Sequence, residues 1–301
     1  MPKRSLGVRE IRFRTANVPE GKAESFAPSD IEGQSLLEIF KRWCEGLCGS
    51  THVRKEAEEC VLVKRVQRLD AETLLVDTLS GKMGEEGEVL AQDGIESKYH
   101  ISYDEAPTGH TRCLLIVPEE GESALLFSEV CHRGSSGPVL LRDFRTFFRR
   151  EFPKVNLLSS QVKEGSEWLK QVESIKEYKI VIQGLPKNSY GVLGSRSGQM
   201  SLTLKPDRKG TFPFLSGQAI TKISAGDLVG APDLDDLGPS KVKATVKGAD
   251  GREKTIDLDR PDLPYFLRTL TESGEPELAD EQFVRRCRGY ALEIFKRLGV
   301  I

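Results

Sequence analysis

The stretch Arg133-Gly134-Ser135-Ser136-Gly137-Pro138 stands between an apolar run at 124–131 (ALLFSEVC) and a helical pattern at about 139–152. Two glycines permit a tight turn and close approach of the backbone to a ligand. Pro138 suits a first helical turn, and the free N–H groups of a helix start attract an anion. Arg133 would add a bidentate phosphate contact. The spacing lacks the Gly-Lys-Ser/Thr ending of a P-loop and is not GxGxxG. Downstream, helical spacing puts Leu141, Phe144, Phe148 and Phe152 on one apolar face and gathers Arg142, Arg145 and Arg149 on the adjoining flank. Such a stripe suits a phosphate backbone; the plainer reading is a solvated face paired locally with Asp143 and Glu151. Lys187 and Arg196 belong to a further basic stretch at 184–210. The candidate ligand-binding set is therefore Arg133, Gly134, Ser135, Ser136, Gly137, Arg142, Arg145, Arg149, Lys187 and Arg196.

Other constellations are thinner. Cys44, Cys48, His52 and Cys60 would make a Cys3His set of the kind zinc prefers. Cys44 and Cys48 also continue the apolar stripe of Leu37, Phe40 and Leu47, so core thiols with a surface histidine is the reading adopted, and no metal is expected. A metal-dependent nuclease needs carboxylates near strand ends and a lysine; Asp104, Glu105, Glu129 and Lys154 are the candidates for such catalysis. Only in that case would a divalent metal be a cofactor. No G-x-S-x-G, H-E-x-x-H, P-loop or kinase signature is present. Asp233, Asp235 and Asp236 lack EF-hand spacing. His110, in Pro107-Thr108-Gly109-His110, reads as a surface turn residue. The closing helix carries Arg285, Arg286, Arg288, Lys296 and Arg297 off its apolar face, and the last two favour the helix dipole without any ligand.

The chain of 301 residues has 44 Lys plus Arg against 46 Asp plus Glu, a net charge of −2. Hydrophobic residues make up 38% and charged residues 30%. This composition fits a folded chain rather than a disordered one, and excludes a globally basic nucleic-acid coat. Charge instead alternates in blocks: basic at 1–14, 133–154 and 283–301, acidic at 70–96 and 225–240. No apolar run has membrane-helix length, and no apolar segment of the signal-peptide kind follows the basic first residues. A cytoplasmic location with reduced cysteines is expected.

Periodicity supplies the elements that must position these residues. Val8, Ile11 and Phe13 predict an opening strand, and 16–29 a loop. Leu36, Leu37, Phe40, Trp43, Cys44 and Leu47 predict a helix with Asp30 as N-cap and Gly49 as stop. Residues 61–66 and 73–79 predict strands, and 80–98 an exposed acidic loop. Residues 113–117 and 124–131 predict a hairpin about Pro118–Glu122. A helix at 139–152, a strand at 155–162, a short helix on Trp168, Leu169, Val172 and Ile175, and a strand at 179–183 follow. Strands at 200–204, 219–223, 241–247 and 254–258 precede two closing helices, the last on Phe283, Val284, Cys287, Tyr290, Ala291, Ile294, Phe295 and Leu298 with Asp280 as N-cap.

The fold expected is α+β: a central mixed β-sheet with packed helices, its β-β-α-β-α-β core at about 112–183, plus a smaller C-terminal α+β module ending in an amphipathic helix. The segments expected are 1–105, 106–195 and 196–301, the first two either as separate domains or as one. The leading functional expectation is an intracellular protein that binds a phosphate-rich ligand, DNA or RNA foremost, through local basic patches. The alternatives are a protein-interaction component of a larger assembly and a metal-dependent hydrolase or nuclease. No membrane partner is expected.

Overall fold

The computed structural model describes residues 2–19, 22–54, 59–90, 97–132, 134–164, 172–185, 198–207, 210, 212–213, 240–248, 253–257 and 265–300. In chain order the elements are β1 (Arg4–Thr15), β2 (Ser25–Phe26), α1 (Leu36–Leu47), β3 (Thr51–Arg54), β4 (Glu59–Arg68), β5 (Thr73–Lys82), β6 (Gly87–Leu90) and β7 (Ser97–Ile101). Then come β8 (Thr108–Ile116), β9 (Ala124–Val130), α2 (Ser136–Glu151), β10 (Val155–Gln161), β11 (Val172–Leu185) and β12 (Gly198–Leu204). The last are β13 (Phe212–Pro213), β14 (Ser240–Gly248), β15 (Glu253–Asp257), β16 (Leu267–Thr271) and α3 (Asp280–Leu298). The chain divides into two compact units, Met1–Val162 with Phe266–Ile301, and Lys163–Tyr265.

The first unit is organised by β1. One edge pairs with β9 through Ser5–Ile11, and the other with β16 through Arg4–Gly7 and with β10 through Arg9–Thr15. The resulting nine-stranded antiparallel sheet runs β10-β1-β9-β8-β5-β4-β3, with β2 and β16 also on β1. Side chains alternate across it with period two. Leu74, Val76, Cys113, Leu115 and Leu126 face α1 and α2. Leu75, Leu114, Ile116, Leu125 and Phe127 face α3. Because both faces are covered, the central strands read as unbroken apolar runs rather than as alternation.

Helix α1 begins at Ser35, whose Oγ accepts a hydrogen bond from the Glu38 N–H at 3.2 Å. Its Phe40 meets Phe144 of α2 edge to face at 4.9 Å between ring centres, and Phe148 of α2 lies 5.1 Å from Phe13 of β1. Helix α2 enters close to the sheet: a Cβ at Gly137 would stand 1.7 Å from Ser128 Oγ. Helix α3 seats Phe283, Cys287 and Ile294 against Leu6, Val8 and Leu75, and stops at Gly299, whose φ of +71° is easy for glycine.

The second unit is a five-stranded antiparallel sheet, β12-β11-β14-β15 with β13 on β11. Ile180, Ile182, Val242, Ala244, Val246 and Ile256 are buried in it.

Several expectations need correction. The chain is α+β, but its named sheets are antiparallel, not mixed. Of the short helix expected on Trp168, Leu169, Val172 and Ile175, the last two lie in β11, with register shifts beside both, and Trp168 and Leu169 lie outside the described residues. Within 80–98, β5 continues to Lys82 and β6 pairs with β7. Before α3, Leu267–Thr271 form β16 on the first half of β1, and 258–264, where the other closing helix could fall, lie outside the described residues. The closing helix belongs to the first unit together with β16, whose Leu270 shares its core cluster. The strand expected at 219–223 lies outside the described residues.

Gly137→Ala should lower unfolding stability by about 1–3 kcal/mol through overpacking, read as a shift in urea midpoint. Adding Ser128→Gly should restore part of it. An unchanged midpoint in the single variant would contradict this packing role.

Candidate functional site

The lead-in to α2 is built for packing. Cys131 and Gly134 exchange backbone hydrogen bonds at 3.0 Å, closing a tight turn with Gly134 at φ +127°. Arg133, between them, lies outside the described residues. Ser135 Oγ donates to the Glu129 carbonyl at 2.9 Å. Ser136 is fully buried, with its Oγ 2.7 Å from Thr78 Oγ1, 3.0 Å from Thr111 Oγ1 and 3.3 Å from Cys113 Sγ. Burial pushes the Cys113 thiol up to about 11, so it stays protonated. Gly137 faces Ser128, as described. The small residues of this segment therefore bring a helix start onto the sheet.

The outer face of α2 is different. Arg142 is paired with Glu59 at 2.5 Å. Arg145 donates to Ser159 Oγ on β10 at 2.8 Å. Among the described residues, no carboxylate lies within ion-pair distance of Arg145 or Arg149. The Arg150 side chain is 76% exposed, with its Nε 3.6 Å from Glu151 and its guanidinium carbon 5.8 Å from the Phe147 ring centre. Arg145, Thr146, Arg149 and Arg150 line an open concavity of about 380 Å³. Of the sequence stripe, the structure keeps Arg145 and Arg149 in this concavity, turns Arg142 to Glu59 and adds Arg150. Lys187 and Arg196 lie outside the described residues. Arg149 and Arg150 also occupy the last turn of α2, where cations favour the helix dipole.

On the opposite face of the sheet sits an ionic cluster that the sequence reading did not assemble. Glu129 is fully buried and receives Arg112 through both carboxylate oxygens, at 3.0 and 3.2 Å, and Arg4 at 3.1 Å. Arg112 also donates to the Leu278 carbonyl at 2.7 Å, pairs with Asp280 at 3.1 Å and lies 4.5 Å over the Phe283 ring. Burial works against the Arg112 charge, but Glu129 and Asp280 more than offset it and its pKa is raised. Arg4 further bonds Glu277 and the His110 carbonyl, and His110 Nδ1 is 3.2 Å from Glu277. A register shift between Val63 and Arg65 in β4 turns Arg65 to this face, where it pairs with Asp77 and Asp280, each at 2.5 Å. The cluster ties the segment before α3 to β1, β4, β8 and β9. Beside it, Arg65, Leu75, Asp280, Val284, Arg285 and Arg288 border an open cleft of about 690 Å³. The one signal in the sequence was a charge inside or abutting an apolar strand: Glu129 within ALLFSEVC and Arg112 before CLLIV.

Two of the nuclease candidates, Glu129 and Glu105, are engaged within the protein. Glu129 is committed to two arginines. Glu105 accepts from Tyr99 Oη and from the Ser102 N–H, which hold its carboxyl below the usual range. Asp104 is exposed in the turn after β7, and Lys154 is exposed in the turn before β10. Cys44 is buried in the core under α1, Cys60 is buried in β4, and Cys48 is exposed at the end of α1. His52 stands opposite Val61 in the β3–β4 register. Among the described residues no three His, Cys, Asp or Glu side chains come together as a metal site. No helix among them is long and apolar enough to cross a membrane.

No protein-family model matches this chain, and no curated protein or solved structure is significantly similar to it.

Glu129→Gln leaves two buried guanidinium groups without full compensation and should cost about 3–5 kcal/mol. Arg149→Ala, on the surface, should stay within about 0.5 kcal/mol. Equal unfolding midpoints for the two variants would refute the anchoring role. Burial alone would raise the Asp280 carboxyl, yet hydrogen bonds from Arg65 and Arg112 hold it below its ordinary value. Folded protein therefore binds this proton less readily than unfolded chain. The stabilisation is complete above the unfolded value near about 4 and is lost as pH falls through the lowered one. Asp280→Asn should flatten the acid limb of a stability-against-pH curve below about pH 4; an unaltered limb would count against the pairing.

Proposed function

We propose that this chain binds nucleic acid through the exposed arginine face of α2. The observation that carries the reading is Arg145, Arg149 and Arg150 around one open concavity, the first two without a carboxylate partner among the described residues. Guanidinium forks match phosphate oxygens two at a time. Helical spacing repeats them along an axis, as a polymeric phosphate backbone requires. The near-neutral chain and the capture of Arg142 by Glu59 argue for a local patch rather than a basic coat. Such contacts position a backbone and carry no base sequence, so binding should tolerate many sequences.

The test is equilibrium binding of a fluorescent oligonucleotide at rising salt. Three phosphate contacts to a single strand give a slope of roughly −2 in log affinity against log salt. The variant Arg145→Glu/Arg149→Glu/Arg150→Glu should lose binding at about 50 mM salt and keep the wild-type circular dichroism spectrum. Retained affinity in the folded variant would reject the proposal.

A further inference from the structure

Beside the arginines of α2 lies a pair of incompletely buried rings. Trp43 of α1 is partly buried and packs on Phe40 at 5.6 Å and Phe144 at 5.3 Å between ring centres. Phe147 of α2 is partly buried too, stacked with Phe144 at 6.1 Å and 6.4 Å from Trp43. The Arg150 guanidinium carbon lies 5.8 Å from the Phe147 ring centre, on a side chain that is 76% exposed. At 100° per residue, Arg150 sits about 60° round the helix from Phe147. The exposed surface of α2 thus passes from ring to Arg150, then across Thr146 to Arg149 and Arg145. A flat π-face next to a row of guanidinium groups is what sequence-tolerant binding of an unpaired strand uses: bases stack on the ring while phosphates follow the cations.

We infer that Phe147 and Trp43 form a stacking ledge for an unpaired nucleobase, with Arg150 closing over its other face, which makes single-stranded nucleic acid the substrate class. This rests on the reading of α2 as a nucleic-acid surface. A duplex keeps its bases stacked on one another and offers the ledge nothing beyond its phosphates. Phe147 is only partly buried, and the exposed Arg150 lies over its ring, at 5.8 Å from the ring centre.

The experiment compares three probes of equal length with the full chain at one salt concentration: an oligothymidylate, an abasic phosphodiester strand and a duplex. The wild-type protein should bind oligothymidylate about tenfold more tightly than the abasic strand, and more tightly than the duplex. Phe147→Leu should erase the preference, and Trp43→Phe should retain it. Equal binding of oligothymidylate and abasic strand by the wild-type protein overturns the ledge and leaves the phosphate reading standing. If none of the probes binds at about 50 mM salt, both fail. The wild-type comparison needs no variant to fold.

Discussion

Burial on both faces of the central strands governs this protein. Helices α1 and α2 cover one face and α3 the other, so β5, β8 and β9 carry apolar side chains in either direction. Each helix must then turn one apolar face to the sheet, and what remains polar is forced outward. On α2 that division is sharp: Leu140, Phe144 and Phe148 are buried, while Arg142, Arg145, Arg149 and Arg150 are exposed. The arginine face is thus a consequence of where the core requires the phenylalanines.

The same constraint makes the charges between sheet and α3 costly. Glu129, on a central strand, is out of reach of water and holds two arginines at hydrogen-bond distance. A pair of this kind contributes little net stability against an apolar replacement, but an incomplete one is strongly destabilising. Its effect is to fix one arrangement: Arg112 joins Glu129, the Leu278 carbonyl and Asp280, so the segment before α3 has one place to dock.

The sequence made part of this legible. Unbroken apolar runs located β8 and β9, and helical period located α2 and α3. The stripe on α2 was readable for the same reason, yet its partner was not: Glu59 is 83 positions from Arg142, and no local pattern joins them. Arg150 was missed because it falls off the stripe, although it shares the concavity. Gly137 shows how one property serves two ends. Its missing Cβ was read as room for a ligand, whereas the neighbour it admits is Ser128. The ionic cluster escaped notice because Arg4, Arg65, Arg112, Glu129 and Asp280 come from five elements, assembled only by strand pairing and by the return of the chain to the first unit.

The most direct measurement of the central claim is photocrosslinking of the full chain to a halogenated single-stranded oligonucleotide, with the attached peptides identified by mass spectrometry. The account predicts crosslinks confined to α1 and α2, on peptides spanning Trp43 and residues 142–150. Crosslinks on the α3 side of the sheet, or none above background under conditions where a known single-strand binder is captured, would contradict it.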